Sequence, residues 1–345
     1  MAEATMELIL IAFIKIVVVL LVILTTVANL VYAERKISAS IQNRIGPNRV
    51  GPWGLLQAPA DVLKLFMKED IVPASANAFV HTLAPVISLT VAMTTFAVIP
   101  FGDTITLFGR EIKLQIADVN IGVLYILAMT SMGVYGVTLS GWSSNNKYSL
   151  LGGLRSAAQM ISYELSMGLS VVGVIMVAGT LELDKVVALQ SGFAWNAFLT
   201  PIGFITFVVA SFAETNRLPF DLPEAEPELV GGYHTEYSGM KFGTFFLAEY
   251  ANMITSSALI VTLFLGGWQV PFLELLGLSP LWTSIAQIAS FALKTCAVIF
   301  FYMWVRWTIP RFRYDQLMNL GWKVMLPVSL LNIGVTGAWL LLWGR

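Results

Sequence analysis

The sequence predicts an all-α membrane protein with eight transmembrane helices, plus an amphipathic interfacial helix in the first inner loop. Three observations carry this prediction. Of the 345 residues, 57% are hydrophobic and only 12% are charged, with a mean hydropathy of +0.76. A soluble domain carries roughly twice that share of charge. Apolar runs near the ~20 residues needed to cross a bilayer recur eight times. Lysines and arginines collect in alternate connections between those runs, as they do in polytopic membrane proteins. One polytopic domain over residues 1–345 accommodates all of it.

The first run, about 8–33, is too long for a signal-peptide core and no basic region precedes it, so it reads as a retained helix. The remaining spans are expected near 79–100, 119–141, 157–179, 196–213, 243–267, 283–307 and 324–343. An even number of spans places both termini on one side. The odd-numbered loops carry 14 of the 20 lysines and arginines, whereas the even loops and termini hold Arg110, Lys113, Lys185 and Arg345. The basic loops are therefore expected inside and the termini outside. In the first inner loop, about 54–68, apolar residues at 55, 56, 59, 62, 63, 66 and 67 oppose Gln57, Asp61, Lys64 and Lys68. That is a helical period with one apolar face. Such a helix either lies in the membrane interface or turns its polar face to a cavity.

Composition also limits function. A net charge of −1 leaves no basic stripe for a nucleic acid. The one cysteine, Cys296, cannot by itself supply the roughly four thiolates of an iron–sulfur cluster. Two histidines, His81 and His234, make poor candidates for haem ligands, and nothing near His234 offers metal spacing. Any electrons are expected to come from another subunit.

The ionisable residues inside the spans stand out, because a charge at membrane depth costs roughly 2.5–3.5 kcal/mol even on permissive scales. Lys15, Glu164, Glu249 and Lys294 lie well inside; Glu214 and Arg306 lie at inner ends. Glu164 and Glu249 are expected at a similar depth, and each lysine is expected either to pair with one of these acids or to serve a functional role. An acid-rich inner loop spans about 214–239, "ETNRLPFDLPEAEPELVGGYHTEYSG". It holds Glu214, Asp221, Glu224, Glu226, Glu228 and Glu236 against Arg217 as its formal cation. Pro219, Pro223 and Pro227 exclude one continuous helix there. Phe220, Leu222, Leu229, Val230, Tyr233 and Tyr237, interleaved with the acids, suggest a folded cavity wall or docking surface.

Four stretches carry a resemblance: "AERK" (33–36), "QNRIGPNRVGPWGLLQAPADVLKLF" (42–66), the acid-rich loop, and "PRFRYDQLMNLGWK" (310–323). Together they resemble the family of quinone-chamber membrane subunits of respiratory complex I, the proton-translocating NADH:quinone oxidoreductase. The resemblance implies a membrane subunit that forms much of the quinone chamber and the first acidic part of the proton-coupling path. Quinone, with ubiquinone expected, would be the substrate. Partners would be the iron–sulfur and quinone-site subunits of the peripheral arm, small membrane subunits and membrane lipid. The location would be the bacterial inner membrane with periplasmic termini, or alternatively the mitochondrial inner membrane. By position, Arg35, Lys36, Arg44, Asp61, Arg217, Phe220 and Asp221 match the quinone chamber or its entrance. Glu214, Glu224, Glu226, Glu228 and Glu236 match the acidic loop, with Glu249 and Glu164 as the buried acids beyond. Arg306, Arg311, Arg313 and Asp315 match the contact with the arm. Pro59 and Pro227 depart from the family pattern, and Pro59 bears on where the interfacial helix starts. Other readings are an anchor subunit of a related hydrogenase or dehydrogenase, a secondary proton or cation transporter, and a scaffold. The absence of an internal repeat and the breaks at the inner edge weigh against a transporter.

Overall fold

The computed structural model describes residues 2–343 except 108–109, 193, 223–225, 274–276 and 278. Helices dominate. In chain order they are α1 (Ala2–Ile41), α2 (Gln57–Met67), α3 (Ala78–Thr94), α4 (Gly122–Ser143), α5 (Lys147–Ala178) and α6 (Leu183–Ala188). Then come α7 (Asn196–Leu199), α8 (Pro201–Glu214), α9 (Glu226–Leu229), α10 (Gly239–Phe264), α11 (Pro280–Thr308), α12 (Tyr314–Asn319) and α13 (Leu326–Trp343). One two-stranded antiparallel hairpin, β1 (Thr104–Leu107) with β2 (Arg110–Lys113), follows α3.

Among the described residues, seven helices are long and apolar enough to cross a membrane. The eighth expected span takes a different form. Pro201 opens α8 and Thr200 has left the helical region, so the segment splits into α7 and a 14-residue α8. At 1.5 Å per residue α8 is about 21 Å long, short of a hydrocarbon core of about 30 Å. Two helices run past the apolar stretches that announced them: α1 continues to Ile41, and α5 begins at Lys147. The last span is irregular where Pro327 would clash with the carbonyl one turn earlier. There the chain passes through a π-helical segment, Leu320–Met325, between α12 and α13.

The amphipathic segment forms α2, starting at Gln57, with Pro52–Gly54 a separate 3₁₀ turn. Pro59 sits in the first turn of α2, where a missing N–H is tolerated. The apolar side chains Leu63, Phe66 and Met67 are exposed, whereas Asp61 turns back toward α1.

α10 is the central helix. Its most apolar window is 78% buried, against 6% for α1. It packs against α3, α8 and α11, and α3, α4, α5, α8 and α13 complete the bundle. Close approach depends on small residues. A Cβ on Gly136 of α4 would come within 2.1 Å of Ser88 Oγ on α3. A Cβ on Gly152 of α5 would meet the backbone of Gly232–Tyr233 at 2.7 Å, so this glycine lets the acid-rich loop settle onto α5.

Among the described residues, neither intramembrane lysine pairs with a buried acid. Lys15 Nζ donates to the Gln115 carbonyl at 3.1 Å. Lys294 Nζ donates to the carbonyls of Leu265, Gly267 and Gln269 at 2.8–3.1 Å and lies over the Trp195 ring. Backbone carbonyls of the turn that follows α10 solvate this ammonium, which explains how it is tolerated without a carboxylate.

Candidate functional site

The centre of the site is a buried charge network where α1, α10, α11 and the loop after α8 meet. Glu34 is 5% exposed. It accepts hydrogen bonds from Tyr250 Oη at 2.6 Å, from Arg217 Nη1 at 3.3 and 3.4 Å, and from Arg306 Nη1. Arg217, also buried, faces Glu249 Oε1 through Nε at 3.0 Å and stacks its guanidinium over the Tyr250 ring at 4.3 Å. Burial works against the charge on Arg217, but Glu249 and Glu34 more than offset it, and its pKa lies above the ordinary arginine value. Two acids and two arginines thus form a balanced cluster. Beside it, Asp221 accepts from Arg311 Nη2 at 3.1 Å. Burial pushes the Asp221 carboxyl up to about 6; Arg311 opposes the shift, Glu249 adds to it, and Arg306 opposes it.

The loop that carries these residues is folded against the bundle. Phe220 is buried, edge-on to the Tyr163 ring at 5.4 Å and tilted against Phe312 at 5.5 Å. The Phe312 N–H donates to the Pro219 carbonyl at 3.2 Å, which ties the loop to the connection between α11 and α12.

Glu249 also lines a cavity of about 60 Å³ between α3, α4, α8 and α10. Glu214 lines the same cavity, with Thr130, Asn252, Thr255 and Ser256 among the polar residues around it. That volume holds a few waters, since about 10–15 Å³ on this measure suffices for one. Glu164 accepts from Ser131 Oγ and lies close enough to Glu214 for the two charges to interact. The acids therefore form a series, Glu164 beside Glu214, then the cavity, then Glu249. Glu164 and Glu249 are not direct partners; Glu249 faces a cation, and Glu214 is the acid beside Glu164.

A second group lies at the surface. Arg35 Nη1 contacts Asp61 Oδ2 at 2.6 Å, and Gln57 Nε2 donates to Asp61 Oδ1 at 2.9 Å. Arg35, Arg44, Arg49 and Gln57 border an open depression of about 380 Å³. Lys36 stands apart over the Tyr32 ring at 5.7 Å. So the residues matched to a quinone chamber divide into a surface group (Arg35, Arg44, Asp61) and a buried group (Arg217, Phe220, Asp221).

The other acids of the loop are placed differently. Glu228 is exposed and pairs with Arg155 at 2.6 Å. Glu236 accepts from Asn146 Nδ2 at 2.6 Å. Glu224 and the side chain of Glu226 lie outside the described residues. Arg313 and Asp315 pair with each other at the surface at 2.8 Å. His234 is half-buried, edge-on to Tyr233 and Phe242, and desolvation lowers its pKa to about 4. Among the described residues no group of three His, Cys, Asp or Glu is gathered to hold a metal ion.

Sequence reasoning missed Glu34 and Tyr250. Glu34 stands beyond the apolar run, next to Arg35 and Lys36, and so reads as part of a basic loop. The signal that it belongs inside is helical continuation: α1 extends to Ile41, which turns Glu34 toward α10.

A family profile described as NADH dehydrogenase matches residues 14–337. Subunit 8 of the NADH-quinone oxidoreductase of Rhodothermus marinus is 58% identical over 320 residues, covering 90% of this chain and 91% of the relative. An NADH-quinone oxidoreductase H subunit of Cytophaga hutchinsonii is 54% identical over 312 residues, with 90% and 91% covered. The H subunit of Salinibacter ruber is 54% identical over 331 residues, with 93% of each chain covered. Matches of this extent run through every span and through both residue groups of the site, and the chain belongs to the family of NADH-quinone oxidoreductase H subunits.

Proposed function

We propose that this chain is the membrane subunit in which quinone reduction is converted into proton movement. Arg35, Lys36, Arg44 and Asp61 border the entrance of the quinone chamber, and Arg217, Phe220 and Asp221 stand along its inner wall. Glu249, Glu214 and Glu164 form the first part of the proton path, and Glu224, Glu226 and Glu228 are the further acids of that path. The observation that carries this reading is the Glu34–Arg217–Glu249 network. It connects, through unbroken ion pairs, the loop that bears Phe220 and Asp221 to the cavity that Glu249 shares with Glu214.

Chemically, the quinone is the substrate and another subunit delivers the electrons. Negative charge arriving on the chamber side competes for Arg217 and Arg306. Each loosened arginine leaves its carboxylate less compensated, and such a carboxylate takes up a proton more readily. Water in the cavity lets that proton exchange with Glu214 and then Glu164. Arg306 and Arg311, together with the surface pair Arg313–Asp315, lie at the contact with the partner subunits of the peripheral arm, and small membrane subunits cover the flanks. The protein crosses the bacterial inner membrane eight times, α7 and α8 together making the fifth crossing, with both termini periplasmic. Ubiquinone is the expected quinone.

Replacing Arg35 or Asp61 by alanine in the assembled enzyme tests the assignment. Quinone-dependent turnover should fall while NADH oxidation by ferricyanide stays intact, because ferricyanide takes electrons before they reach this subunit. Equal loss of both activities, at normal assembly, would contradict the quinone role.

A further inference from the structure

Gln159 lies on α5 and is 1% exposed. Its amide nitrogen faces three acceptors: the Ala213 carbonyl at 2.8 Å, the Phe220 carbonyl at 2.8 Å and Asn216 Oδ1 at 3.1 Å. The first of these immediately precedes Glu214. The second lies three residues after Arg217 and one before Asp221. A single side chain thus holds both ends of the segment that joins the cavity to the chamber wall.

The same face of α5 grips that segment twice more. Ser156, three residues before Gln159, accepts from Asn216 Nδ2 at 3.3 Å, and Tyr163, four residues after it, meets the Phe220 ring edge-on at 5.4 Å. Residues spaced by three and four share one helix face. Tyr163 is itself fixed, donating to the Leu317 carbonyl at 2.9 Å. Asn216 stands at φ +50°, in the left-handed region that asparagine tolerates, and is one of the residues that line the cavity. An amide nitrogen has two hydrogens, so two protons are shared among three acceptors. Any motion of the loop that moves Phe220 therefore redistributes the bonds holding Ala213 and Asn216.

We infer that Gln159 is a positioning residue that keeps the chamber loop in register with the buried acids, so that movement of Arg217–Asp221 reaches Glu214. This rests on the reading that Glu214 belongs to the proton path. Gln159 touches neither substrate nor a proton in transit; it acts through the Ala213 and Phe220 carbonyls.

The experiment compares Gln159→Leu, Gln159→Met and Glu214→Gln in the whole complex, reconstituted in vesicles with a water-soluble quinone analogue. Assembly is checked on native gels. Protons moved per electron is the deciding measurement. In both Gln159 variants the complex assembles, electron transfer to quinone persists, and the proton-to-electron ratio drops. A fall of about tenfold is the scale of losing one to two neutral hydrogen bonds. A purely structural residue would lower turnover and pumping together, or prevent assembly; either result in both variants overturns the inference, as does a wild-type ratio. Glu214→Gln separates the two levels. If it pumps normally, the proton-path reading fails and the inference with it. If it blocks pumping while both Gln159 variants keep the wild-type ratio, only the inference fails.

Discussion

Glu34→Gln removes one charge from the centre of the network and almost nothing from its shape. In the native cluster Glu34 and Glu249 balance Arg217 and Arg306. With glutamine at 34, one buried cation is left without its counter-charge, and Tyr250 loses a charged acceptor at 2.6 Å. Removing one partner of a buried pair costs roughly 3–5 kcal/mol, mostly the penalty of the charge left behind. Arg306 keeps 27% of its side chain exposed and softens that penalty, whereas Arg217, at 3%, feels it fully. At 1.4 kcal/mol per decade, the lower end of the range is already about a hundredfold shift away from the native arrangement. The readouts are the amount of complex on a native gel and the rate at which heat abolishes quinone-dependent turnover. The single variant should assemble poorly or inactivate much faster, and the double variant Glu34→Gln/Arg306→Gln, which restores charge balance, should recover most of the loss. A single variant as robust as wild type would refute the reasoning, as would a double variant no better than the single.

Asp221→Asn should change a pH slope. The folded carboxyl titrates near 6 against an ordinary value of 3.8, so the folded protein holds this proton between those values where an unfolded chain has released it. Stability from this group is therefore present at low pH and lost as pH climbs through about 6. Heat-inactivation curves should show the variant gaining on wild type from about pH 4 to 6 and running parallel above about 7; curves parallel throughout would count against the shift. The orientation is checked by a cysteine placed at Ala2 in a Cys296→Ser background. An impermeant maleimide should label it from the periplasmic side, and labelling from the cytoplasmic side alone would reverse the topology.

What hydropathy made legible was the run of apolar helices, because length and composition alone decide whether a segment can cross a bilayer. It misjudged helix ends. Polarity marks where a helix leaves the membrane, while hydrogen bonding and breakers such as Pro201 mark where it stops, and at α1, α5 and α8 these points differ. The 104–113 hairpin was also missed, since four-residue strands give too little alternation to register as a period. Within the site, Glu164, Glu214 and Glu249 stood out because a carboxylate in an apolar run is costly and needs a reason. Their partners did not. Glu34 and Arg217 are 183 positions apart, and nothing local in either segment indicates that the two meet. The partners of Lys15 and Lys294 stayed open for a related reason: the acceptors are backbone carbonyls, which composition does not reveal.

The placement of α1 ties the surface group to the buried one. Little of its apolar stretch is fully buried within this chain, so packing against the bundle contributes little to holding it. Polar contacts do much of that work near its C-terminal end: Tyr32 Oη donates to the Trp53 carbonyl at 2.8 Å, Glu34 faces Arg217, and Arg35 faces Asp61. Consecutive residues on a helix point about 100° apart, which is why Glu34 and Arg35 reach different neighbours from one turn. A change in the Arg35–Asp61 pair that rotates or shifts this turn must also move Glu34 against Arg217, because a single helical backbone carries both. The surface group and the buried network are therefore coupled through rigid geometry over one residue step, without any moving loop between them.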